Sequence, residues 1–168
     1  MKLFRFALLV AALATPWLGY GQAVPATKSA VMADDFSHVA DPALEAMRAK
    51  AQALGIGGVA VVAYFKGETI RSWSSQMIVV GRYKDDPTAT DKGSNLLGIA
   101  YAKAAEMADT LKDSGSKVRP PMTGEFGWNG GVIGRGKTGY WIAAFSGGKS
   151  EDDVAVSREG LSVLNGSR

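Results

Sequence analysis

The 168-residue chain contains no cysteine and a single histidine. The first absence excludes disulfides, thiolate metal sites, thiol nucleophiles and a lipid-modified amino-terminal cysteine. The second means that neither a Ser-His-Asp constellation nor a cluster of imidazole metal ligands can be assembled from His38 alone. A third absence is of any apolar run of the roughly 20 residues that a membrane-spanning helix requires. Charge of one sign is lacking too, with 19 basic residues against 16 acidic ones. No clustered basic face marks a nucleic-acid or anionic-membrane binder.

What is present begins with a pattern. Met1–Arg5 carries two positive charges, Phe6–Leu18 is apolar, and Gly19-Tyr20-Gly21 is a small-residue exit. That layout predicts a secretory signal peptide over 1–21, hence a periplasmic or secreted protein with no membrane insertion. Removing Lys2 and Arg5 brings the charge close to neutrality. Residues 22–40 show no sustained period and read as a flexible arm. The folded domain is expected over 41–168, with Asp41-Pro42 as the cap and first position of a helix carrying Leu44, Met47, Ala51 and Leu54.

Gly57–Phe65 reads as a buried strand, Lys66-Gly67 as a turn and Glu68–Ser74 as its hairpin partner, with Gln76–Tyr83 prolonging the hairpin or adding a strand. Leu97, Ala100, Tyr101, Ala104, Met107, Ala108 and Leu111 form one stripe on a helix expected over Ser94–Asp113. Tyr140–Phe145 reads as a strand, and Ser150 as the cap of a last helix, with Asp153 completing a capping-box-like pair. Short hairpin-linked strands between helices predict an α+β layered domain with an antiparallel sheet.

Gly131–Thr138 fits the phosphate-binding loop pattern letter by letter. A strand, however, is predicted to follow it, whereas phosphate capture needs a helix amino terminus there; the segment reads as a glycine-rich hairpin. Lys103, flanked by Ala102, Ala104 and Ala105, is either a solvated lysine paired with Glu106 or one that reaches into a cleft to hold a carboxylate. Arg82 and Tyr83 are candidates to contact the same ligand. Phe126 and Trp128, in a glycine-rich loop, are candidate pocket walls.

Several segments together resemble the GlcG/HbpS family. They are Ala46–Ile56 (AMRAKAQALGI), Ser94–Ala108 with its Ala102-Lys103-Ala104, the Gly130-Gly131 pair, and Ala143–Leu161 (AAFSGGKSEDDVAVSREGL). That family includes haem-binding secreted HbpS proteins and the carboxy-terminal domain of PduO-type proteins. The resemblance spans about residues 41–164. It implies a profilin-like fold, a homo-oligomer, haem as ligand and, in the exported branch, a membrane sensor as partner. The chain departs from the family pattern at Ala63, where an acid is usual, at the shortened Ser146-Gly147-Gly148 loop, and at Val154. The expectation is thus an exported haem-binding protein, for haem storage or sensing, without recognised catalytic machinery. Lys103 or Arg82 would hold propionates, and His38, Tyr83, Tyr101 or Met77 would be the axial ligand. The alternatives are a cofactor-free oligomeric interaction module and a protein that binds or acts on a small carboxylic acid of glycolate-type metabolism.

Overall fold

A computed structural model describes the backbone of residues 27–166 and the side chains of 35–166. The expected signal peptide lies outside the described residues.

Helix α1 spans Thr27–Ala53 and runs straight through Asp41-Pro42. The expected helix start is therefore displaced, and residues 36–40 are part of the packed domain rather than a loose arm. The reason is tertiary. Phe36, Val39 and Ala40 continue the face made by Ala43, Leu44, Met47 and Ala51, and that whole face packs into one core cluster. Phe36 also stacks on Trp141 at 6.2 Å. Pro42 removes one helical N–H, but it sits on the exposed side, where water can satisfy the carbonyl it leaves behind.

Strand β1, Gly58–Lys66, is buried along nearly its full length. This explains its unbroken run of Val and Ala, since it is covered on both faces. Its partner is β2, Trp73–Val80, in antiparallel register from Gly58↔Val80 to Phe65↔Trp73. The hairpin partner thus starts five residues later than Glu68 and takes in residues 76–80 of the segment expected to prolong it. The short β3 (Lys84–Asp85) and β4 (Ser94–Asn95) pair with each other and lead into α2, Leu96–Thr110. That helix is capped by the Asn95 side chain, which accepts from the Gly98 N–H at 2.9 Å.

Strands β5 (Gly131–Arg135) and β6 (Gly139–Ser146) form a hairpin, and α3 spans Ser150–Gly166. The phosphate-loop look-alike is thus hairpin, with the Gly136 N–H donating to the Gly139 carbonyl at 2.8 Å. The sheet order is β2-β1-β6-β5, antiparallel throughout.

Alternation along the two central strands builds two cores. Ala60, Val62, Ala143 and Phe145 pack against α1 and α3. Val59, Val61, Ala63, Phe65, Ile142 and Ala144 pack on the other face, where α2 supplies Leu96, Ala100, Ala104 and Met107. The architecture is α+β, an antiparallel sheet between one helix and a pair. Among the described residues no helix is long and apolar enough to cross a membrane.

Candidate functional site

Lys103 lies on the apolar stripe of α2, in line with Leu96, Ile99, Ala100 and Met107, so helical spacing drives it inward. Its side chain is 3% exposed. The ammonium donates to the Phe145 carbonyl at 2.7 Å and to Asp153 Oδ2 at 2.8 Å. Asp153, at the head of α3, is equally buried, and its Oδ1 accepts the Gly148 N–H at 2.8 Å. The expected capping box is not formed, because the Asp153 carboxylate turns to the lysine and to the Ser146–Gly148 turn. Lys103 does not pair with Glu106 either; the Glu106 carboxylate accepts the Gly115 N–H.

This ion pair fits only because of Gly130. With φ at +133° the residue suits glycine alone, and any side chain there would collide with the Lys103 ammonium and the Asp153 Cβ. Ser157 fixes the same residue, donating to the Gly130 carbonyl at 2.7 Å. Burial pushes the Lys103 ammonium below its ordinary pKa and the Asp153 carboxyl above its own, while their mutual attraction opposes both shifts.

Above the pair is a pocket of about 190 Å³. Its floor is Lys103 and Asp153, its walls include Ser94, Asn129, Ser146 and Ser150, and Trp128 stands at its side. The site therefore offers hydroxyl and amide groups above a desolvated cation, with acceptors from Asp153 and Asp85.

The other residues expected to contact a ligand distribute unevenly. Arg82 braces the pocket from behind. Its Nε donates to Asp85 at 2.6 Å and its two terminal nitrogens to the Gly57 and Gly147 carbonyls at 2.6 and 2.8 Å. All three nitrogens are thus engaged in holding two pocket walls. Tyr83 is 52% exposed and lines a shallower neighbouring depression that shares Asp85 and Ser94 with the pocket.

Tyr101 and Met77 do not line the Lys103 pocket. They pack over Val59 and Val61 on the α2 face of the sheet, with the Tyr101 hydroxyl 3.5 Å from Ser75 Oγ. His38 is exposed on α1. The six candidates therefore do not converge, and Lys103, with Arg82 and Tyr83 beside it, marks the site. Among the described residues no group of three or more His, Asp or Glu side chains is placed to hold a metal ion.

Sequence reasoning missed Asp153 as the partner of Lys103, and it missed Ser94 and Asn129 as polar walls. One signal was available: a lysine on an otherwise apolar helical stripe needs an acid to meet it. Nothing in the spacing says which of 16 acidic residues that is.

No protein-family model matches the chain, and comparison with curated proteins finds no match.

Proposed function

We propose that this domain is an exported, non-catalytic binding protein whose ligand presents a carboxylate to the pocket above Lys103. One observation carries the reading. An ammonium has three N–H donors, and the described residues supply acceptors for two of them, Phe145 O and Asp153 Oδ2. The third is left for an acceptor in a pocket walled by Ser94, Asn129, Ser146 and Ser150. Apolar packing of the same volume is often as stabilising as a buried ion pair, and the position of this pair beneath a polar pocket supports a role in recognition. At about 190 Å³ the space lies below the roughly 300–1,000 Å³ of drug-sized ligand sites, which matches an acid of a few heavy atoms.

The test is thermal denaturation of the protein with acetate, propionate, lactate and glycolate. A ligand present at about 100 times its Kd adds about 2.7 kcal/mol of stability, so saturable rises in Tm support the reading. Flat curves for all four acids would contradict it.

Haem is the second reading, in keeping with the GlcG/HbpS resemblance, a profilin-like version of the layered fold, a homo-oligomer and a membrane sensor partner. The observation favouring it is the half-exposed Tyr83 phenol beside the Lys103 pocket, the one candidate axial ligand so placed. A pocket of this size admits a propionate arm and not the macrocycle, which would have to lie outside on the surface. A haemin titration followed in the visible region tests it: a saturable Soret shift that Tyr83→Phe abolishes supports haem, and an unchanged spectrum removes it. A defined oligomer that takes neither haemin nor acids would instead favour the interaction module.

A further inference from the structure

The segment between α2 and β5, residues 112–130, carries Val118, Met122, Phe126 and Trp128, all of them large, apolar and about half exposed. Leaving such side chains in water is unfavourable, and the segment is tied down by ion pairs and hydrogen bonds. Arg119 donates to Asp109 at 2.6 Å and to Glu125 at 2.6 and 2.8 Å, and Glu125 in turn accepts the Met122 N–H at 2.8 Å. At the base, Ser114 Oγ accepts the Gly131 N–H and Glu106 accepts the Gly115 N–H. The loop is therefore fastened to α2 and β5 with its aromatic side chains held outward.

Two of these rings are set side by side. Phe126 and Trp128 have centroids 4.7 Å apart, with 30° between planes. Gly127 between them has φ +62° and lies against Pro121, where a side chain would clash with the proline ring. The local backbone is thus shaped to present the pair. Trp128 is 51% exposed and is also a wall of the Lys103 pocket, so the aromatic surface is continuous with the polar one.

We propose that Trp128, backed by Phe126, is a specificity-determining ledge at the mouth of the Lys103 pocket, which selects acids bearing an aryl group over short aliphatic ones. The inference rests on the carboxylate reading and deepens it: the acid group sits above Lys103 and the ring lies on the Trp128 indole. Propionate and 3-phenylpropionate isolate the ledge, since they share a carboxylate and a two-carbon arm and differ by the ring. Stacking on an aromatic face adds to the area it removes from water, so 3-phenylpropionate should bind at least about 10-fold more tightly than propionate.

The experiment is isothermal titration of both acids into the intact protein and into Trp128→Ala and Phe126→Ala. Half exposure of both rings allows the variants to fold, which circular dichroism checks. The expected result is a preference that falls to within about 2-fold in Trp128→Ala and partway in Phe126→Ala. Equal affinities in the unmodified protein, or a preference that survives Trp128→Ala, would overturn the ledge while leaving the carboxylate pocket standing. Failure of both acids to bind would overturn the pocket reading and the ledge with it.

Discussion

The two ends of β6 hold their ions in opposite ways. At the Gly139 end, the hairpin is dressed with surface contacts: the Tyr140 hydroxyl donates to Glu68 at 2.8 Å, Arg135 pairs with Glu68, and the Tyr64 and Thr138 hydroxyls share a hydrogen bond of 2.6 Å. Arg135 and Glu68 are about 60% exposed. At the Ser146 end, Lys103 and Asp153 are almost wholly buried beneath a pocket. Water solvates the first set whether or not it pairs, whereas the second has no alternative to its partner. The lesson is that the same chemistry is decoration at one end and a structural commitment at the other, and the pocket lies where the commitment is.

That contrast is broken most severely at the buried end. Lys103→Met or Asp153→Leu alone should cost about 3–5 kcal/mol, because each leaves an uncompensated buried charge. The double variant should recover most of that loss, since packing then replaces the pair. Urea denaturation of the four proteins checks both statements, and two single losses that simply add would contradict them.

An intermediate effect is expected on the loop that carries Trp128. Arg119→Ala removes the bonds to Asp109 and Glu125 and should lower the melting temperature by less than either single loss at the buried pair, because water screens these ions. The same tie responds to acid. Hydrogen bonding to Arg119 lowers the Glu125 pKa from 4.5 to about 2. A carboxyl depressed on folding contributes stability that is complete above its unfolded pKa and is lost as pH falls through its folded one. The loop contribution should therefore fade between pH 4.5 and 2. Stability measured across that window should slope less in Glu125→Gln, and parallel slopes would refute the assignment.

The smallest effects belong to the exposed end. Arg135→Ala should change the melting temperature least of these ion-pair variants, as exposed ion pairs contribute little, and added salt should shrink the difference. His38→Ala, on the exposed side of α1, should lie within about 0.5 kcal/mol of the unmodified protein and leave ligand affinity untouched.

The sequence carried the architecture further than the site. The apolar stripe of α2, the run of Val and Ala in β1 and the glycine-rich hairpin are local patterns, and each produced its element. The start of α1 was illegible because the proline signal at Asp41-Pro42 is local, while the packing of Phe36, Val39 and Ala40 against the sheet is not. The β2 start failed for the same reason, as register with β1 is set by faces that meet only in the fold. Lys103 and Trp128 could be singled out from their neighbours in sequence. Asp153 looked like a helix cap, since a partner 50 residues away leaves no spacing to read. The hold of Arg82 on Gly57 and Gly147 involves backbone carbonyls, which no side-chain pattern announces.

The most direct test of the carboxylate pocket is a titration with 3-phenylpropionate followed by amide chemical shifts of the 15N-labelled protein. The account predicts saturable shifts concentrated at Asn129, Ser146, Gly147, Gly148 and Ser150, with the Trp128 indole N–H moving in step. Shifts that gather on α1 or β2, or a spectrum that does not change, would contradict it.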